Sequence, residues 1–221
     1  MRLREKKAGP TELDDIERTL SSYNERPNLT PREERVIATH EAGHAVAALF
    51  TPNSPAIERI SIRSDLVGAL GFVSYSEPAS RYVVTRGQLL DQICTLFGGR
   101  EAELLFLEDL SIGSAADLDR ATNIARALVE EFGMGGDAVG VRRFETEERD
   151  PISEKALAAM EDSVKQILEE QRQRARTILD ENRMLVQTLR DLVLEKKVLD
   201  KEALASVLPK VEKKNPVPSD R

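Results

Sequence analysis

The chain has 221 residues, 40% of them hydrophobic, which fits one domain with extensions or two small ones. A formal net charge of −7 gives no footing for nucleic-acid binding, and the single cysteine, Cys94, excludes an internal disulfide framework. No apolar run approaches membrane-spanning length and no secretory leader opens the sequence, so a soluble chain is expected, whole or cut from an anchored parent.

Residues 1–27 read as leader and linker. MRLREKKAGP is basic and breaks at Gly9-Pro10, Asp14 to Leu20 fits a short helix, and SSYNERPN reads as a linker. The first strong helix opens at Thr30-Pro31-Arg32-Glu33, where Thr30 suits the N-cap, Pro31 the first helical position and Glu33 a capping box. Val36, Ile37, His40, Gly43, His44 and Ala47 then mark one broad face, expected to be the buried one. An unpartnered imidazole there is costly, so a metal or a hydrogen-bonding partner is required.

This helix holds both of the chain's histidines in His40-Glu41-Ala42-Gly43-His44, an H-E-x-x-H sequence. A spacing of four puts both rings on one helix face, one turn apart, where two neutral imidazoles can hold zinc. The carboxylate of Glu41 can then take a proton from an attacking water. Peptide-bond hydrolysis is the reaction this arrangement suggests. The plain alternative is an ordinary helix that happens to carry both histidines.

Residues 52–85 change character. Pro52, Asn53, Pro55, Gly68, Gly71 and Pro78 punctuate short apolar runs. Ile57 to Ile62 alternates like a strand, and Gly71-Phe72-Val73-Ser74-Tyr75 does so more weakly. The expected fold is therefore mainly α, with a small β-sheet or hairpin region near residues 57–75. Arg86 to Phe106 returns to helical periodicity, interrupted by Gly98-Gly99, a pair that permits close approach to the histidine helix. Cys94 lies within this apolar stretch and reads as a buried thiol.

Ser114-Ala115-Ala116-Asp117 opens another helix with capping-box spacing, whose apolar face takes in Leu118, Ala121, Ala125, Leu128, Val129 and Phe132. Gly133-Met134-Gly135-Gly136 ends it, and 137–151 reads as an acidic, irregular surface segment. A catalytic zinc takes three protein ligands, and with no third histidine the remaining one must be acidic. Asp117 lies on the side that positions 121, 124 and 128 continue. On pattern alone it stands equally as a ligand and as a capping or helix-dipole residue. Two further helices follow, from Ser153 to about Ile178 and through Met184 to Val193. Asp200 caps a short final one, and the tail from Lys210 frays.

The stretches REERVIATHEAGHAVAAL, LLDQICTLFGGREAELL and SIGSAADLDRATNIARALVEEFGMG, in this order, resemble the peptidase domain of the FtsH family of ATP-dependent zinc metalloproteases, from Thr30 to about Leu208. The resemblance implies a helical zinc-metallopeptidase domain over 28–208, with 1–27 as a leader or the end of a preceding helical ATPase subdomain and 209–221 as a flexible tail. It implies Zn2+ as cofactor, His40, His44 and Asp117 as its ligands, and Glu41 as catalytic base. Gly71, Phe72, Val73, Ser74 and Tyr75 become a candidate substrate-binding strand. Unfolded polypeptides are the implied substrates, and a homo-oligomer, six-fold by resemblance, the implied assembly. The expected location is the cytoplasmic or organelle-matrix side, with or without a membrane-anchored parent.

Two positions depart from the family pattern. Thr39 stands where tyrosine is usual, and Ala116 where asparagine precedes the acidic ligand; both bear on support of the site rather than on its ligands. No G-x-x-x-x-G-K-[ST] sequence occurs in the chain, so an ATPase module belongs at most to a longer parent. The rival reading from a different class is a catalytically weak or inactive oligomeric module that binds proteins or holds an assembly.

Overall fold

The computed structural model describes residues 29–63, 70–77, 82–144 and 152–211. The expected basic leader, the short helix at 14–20, the linker, the turn positions Gly68 and Pro78 and the tail past 211 lie outside the described residues, as do residues 145–151 of the acidic segment.

The fold is predominantly helical with one small antiparallel sheet. Helix α1 spans Pro31–Phe50 and starts on the expected capping box: Thr30 Oγ1 accepts from Glu33 N, and Glu33 Oε2 accepts from Thr30 N at 2.7 Å. From Ala38 to Ala48 this helix is buried on nearly every side, not along a single face. Its residues there are mostly small, and the chain wraps it. Ala38, Ala42, Ala45, Val46 and Ala48 share a core cluster with Leu179, Val186, Leu189, Val193 and Leu204 from the last third of the sequence.

Strand β1, Ile57–Ser61, is central. It pairs antiparallel with β2, Phe72–Tyr75, across an irregularity at Glu58, and on its other side with β3, Val198–Leu199. Two residues carry no alternation, so β3 left no trace in the sequence pattern. Helix α2, Arg86–Leu107, is capped by Thr85 and Gln88. It packs on α1 and on α4, Glu154–Glu181.

A 3-10 turn, Ile112–Ser114, leads into α3, Ala115–Arg126, which runs on into a π-helical turn at Ala127–Glu131. The capping box expected at Ser114 does not form. Ser114 lies inside the 3-10 turn with no side-chain cap bond, and Ser111 caps that turn instead by accepting from Gly113 N. Ala121, Ala125, Leu128 and Val129 are buried as expected, whereas Leu118 and Phe132 are exposed. The four buried residues pack with Ile93, Cys94, Phe97, Met160, Val164 and Ile167 in a second core cluster. Helix α5, Arg183–Lys196, and α6, Lys201–Val207, complete the fold, the last capped by Asp200, which accepts from Ala203 N at 2.9 Å. Met184 and Leu157, two apolar positions of the late helices, are exposed.

Candidate metal centre

His40 and His44 project from the middle of α1 toward the start of α3. Their rings meet edge to face, 4.6 Å between centroids. Each Nδ1 is spoken for. His44 Nδ1 donates to the carbonyl oxygen of Thr95 at 2.8 Å, and His40 Nδ1 lies 2.6 Å from Glu103 Oε1. A carbonyl and a carboxylate can only accept, so both rings carry their proton on Nδ1 and, when neutral, present the lone pair of Nε2. Those two Nε2 atoms are 2.9 Å apart, and Asp117 Oδ2 lies 3.2 Å from each.

Three acceptors thus converge on one point. That is repulsive unless a positive charge lies among them. The same demand shows in the titration of the groups. Burial works against a charge on His40, but Asp117 and Glu103 outweigh it and raise its pKa to about 9. Burial would raise Asp117, yet its bonds with the two imidazoles hold it well below the usual carboxylate range.

The donor set suits zinc. Ligands at 2.0–2.1 Å in a tetrahedron stand roughly 3.3 Å apart, close to the observed spacing, and two imidazoles with one carboxylate leave a fourth position open. Among the described residues, His40, His44 and Asp117 form a group whose ligand atoms all lie within 4.8 Å of one another.

The surroundings explain why these chains fold so tightly. A methyl group at Gly99 would stand 2.5 Å from the His40 ring, so α2 presents bare backbone there. One turn on, Glu103 is almost wholly buried and accepts from His40 Nδ1, from Ser111 N at 2.6 Å and from Ser111 Oγ at 3.0 Å. Ser111 caps the turn that delivers Asp117, so one carboxylate braces the supports of two members of the cluster. Sequence reasoning passed Glu103 over. Its only signal was an acid four residues after Gly99 in an apolar helix.

Glu41 is buried beside the histidines, and burial raises its pKa, partly offset by the two rings. Gly71 lies against it: a methyl there would sit 2.7 Å from Glu41 Oε1 and 2.7 Å from Ile37. Phe72–Tyr75 form β2, which among the described residues is an edge of the sheet. Burial also raises the pKa of Tyr75, helped by the charges of Glu41 and Asp117. Thr39 is buried and its hydroxyl donates to Arg35 O at 2.7 Å, away from the centre, while Ala116 is exposed. Cys94 is buried as expected, its thiol pushed up to about 12, which leaves it inert as a nucleophile.

The sequence model of peptidase family M41 matches residues 27–207. The chain belongs to peptidase family M41. Its relatives include the ATP-dependent zinc metalloprotease FtsH of Pseudothermotoga lettingae, 36% identical over 81% of this chain and 30% of that protein. The same-named proteins of Ralstonia pickettii and Thermotoga maritima are 34% and 33% identical, over 80% and 81% of this chain and 26% and 31% of theirs. The chain therefore spans about a third of these relatives. As an M41 domain it is a zinc-metallopeptidase domain whose His/His/Asp cluster fits a catalytic zinc centre. Among the described residues no helix is long and apolar enough to cross a membrane.

Proposed function

We propose that this M41 domain is a zinc-dependent endopeptidase for unfolded or extended polypeptides, with His40, His44 and Asp117 as metal ligands and Glu41 as general base. The observation that carries the reading is the convergence of two imidazole lone pairs and one carboxylate on a point beside a buried glutamate. Zinc held there supplies Lewis acidity that polarises the scissile carbonyl. Glu41 takes the proton of the attacking water and hands it to the departing amine. Its raised pKa suits both halves of that task. Glu103 and the Thr95 carbonyl fix the two rings in the tautomer that leaves Nε2 facing the centre.

The place of β2 at the edge of the sheet, among the described residues, supports a role for Gly71 to Tyr75 in gripping substrate. An extended peptide laid along it finds backbone partners and little side-chain selection, which suits unfolded chains. The match at 27–207 supports 28–208 as the peptidase unit. A ring of identical subunits, six-fold by resemblance, belongs to the same reading. So do an ATPase module in a longer parent and a place on the cytoplasmic or organelle-matrix side. The ATP dependence named for the relatives is theirs.

The test is digestion of unfolded casein together with zinc analysis. The parent chain is expected to hold zinc and cleave, and E41Q to hold zinc and not cleave. Normal turnover by E41Q would remove Glu41 from the mechanism. Zinc without cleavage by the parent, under conditions that keep it assembled, would favour a non-catalytic assembly module.

A further inference from the structure

Glu101 has no part in the chemistry above, yet it is fully buried and paired with three arginines. Its Oε1 accepts from Arg100 Nη1 at 3.0 Å and Arg172 Nη1 at 3.2 Å, and its Oε2 from Arg176 Nη1 at 3.4 Å. Arg172 and Arg176 sit one turn apart on α4, so the contact joins α2 to α4.

The position of Glu101 within α2 gives this contact a consequence. Gly99 and Glu103, four residues apart, share the face that holds the His40 ring and its Nδ1 proton. Glu101, two positions from each, is about 200° around the helix and points the other way. One turn of α2 is therefore held between the His40 ring and the arginines of α4. At the same α1–α2 contact, Gly98 meets Gly43 backbone to backbone, which leaves no slack.

We propose that Glu101 is a positioning residue for the metal centre: by drawing α2 onto Arg172 and Arg176 it fixes the depth at which Gly99 and Glu103 engage His40, and so sets zinc affinity. This rests on the reading of His40 as a ligand. Without the carboxylate, Arg172 keeps only Glu169 on its own helix, at 2.6 Å, and Arg100 and Arg176 lose the group that joins them across the α2–α4 seam. The pull between the two helices at this turn is gone, the seam opens, and the 2.6 Å bond from His40 to Glu103 lengthens.

Asp91 supplies the control. It is also buried on α2 and also paired to α4, through Arg174 at 2.6 Å, but it lies more than three turns upstream of Glu103 and holds Asn53 instead. A general loss of α2–α4 docking would follow from either change. Loss of alignment at His40 follows only from E101Q.

The experiment is competition for zinc with a chromophoric chelator, joined to proton NMR of the zinc-loaded protein. The chain has only two histidines, so the Nδ1–H signals are readily assigned. E101Q is expected to weaken zinc binding about tenfold and to move the His40 Nδ1–H signal. D91N is expected to leave both unchanged while lowering the unfolding midpoint. Zinc affinity in E101Q within about twofold of the parent, or an equal weakening in D91N, would overturn the proposal. If E101Q fails to fold, R172Q/R176Q tests the same seam from its solvent side: the same tenfold loss supports the proposal and parent-like affinity overturns it. These readouts do not involve cleavage. A parent that binds zinc but digests nothing sinks the peptidase reading alone, and a parent that binds no zinc sinks the ligand reading.

Discussion

Gly43 and Gly98 face each other at the crossing of α1 and α2, each occupying the only space the other's carbonyl leaves. A methyl group on Gly43 would stand 2.3 Å from Gly98 O, and one on Gly98 would stand 2.6 Å from Gly43 O. Both obstacles are backbone, so neither can swing aside. This approach brings the histidines within reach of the Thr95 carbonyl and the Glu103 carboxylate.

G43A should therefore destabilise the fold by about 3 kcal/mol or more, since overpacking a tight core costs roughly 1–3 and backbone cannot repack. G87A is the opposite case. Gly87 is exposed in the first turn of α2, and the nearest atom to an added methyl is Asn53 Nδ2 at 3.4 Å. It should be neutral or stabilising by up to about 1 kcal/mol, as alanine replaces glycine in a helix. Urea denaturation of both variants reads the difference.

E103Q should weaken zinc binding by 10- to 100-fold, the usual range for losing a partner that orients a ligand. It removes the charge facing His40 Nδ1 and disturbs the Ser111 bonds that shape the turn before Asp117. Chelator competition measures it. An unchanged affinity would mean that the ring is held by packing alone.

D117A should lower zinc occupancy far more than D119A. Asp119 is exposed on the same helix, about 200° around from Asp117. Metal analysis of both purified variants separates a ligand from a helix-dipole residue, which would leave the two alike.

pH should act on the metal-free protein through His40. Its folded pKa of about 9 lies above the ordinary 6.5, so its contribution to stability is complete below 6.5 and is lost as pH rises through 9. Asp117 has the opposite sign: depressed below 3.8, it contributes above that value and fades as pH falls. Denaturation in the presence of chelator should thus show stability declining between pH 6.5 and 9, by at most about 1.4 kcal/mol per pH unit. With His40 as a ligand, as proposed, zinc would take the place of the second proton on its ring. Calorimetry in buffers of different ionisation enthalpy should accordingly record proton release at pH 7 and little above pH 9.

G71A should leave zinc content unchanged and lower peptide cleavage by at least about tenfold, because the added methyl displaces the Glu41 carboxylate and not a ligand. Parent-like cleavage would show that Glu41 has room to retreat without cost.

The sequence disclosed the parts of this centre that repeat at fixed spacing. H-E-x-x-H is a four-residue step of helix arithmetic, and the capping box at Thr30 is equally local. On pattern alone Asp117 was legible only as one of two alternatives, and the resemblance, not any local signal, singled it out as a ligand, because a residue 73 positions from His44 leaves no local mark. Glu103 and Glu101 were not legible at all. A buried acid is recognised by its partners, and those partners lie on Ser111, Arg172 and Arg176. The all-round burial of α1 escaped for a related reason. Small residues give no contrast between faces, and the wall that covers its second side comes from α5.

That wall has a bearing on how the chain comes into being. Val186, Leu189 and Val193 close over α1, Val198 and Leu199 complete the sheet, and Ile62 N donates to Lys197 O. A ribosome delivers the H-E-x-x-H segment about 150 residues before it delivers these, a lag on the order of 10 s at ordinary elongation rates. Throughout that interval the motif is present and its housing is not. The blade is forged early and hafted last: a chain halted before residue 186 holds both histidines and lacks the wall that seats their helix.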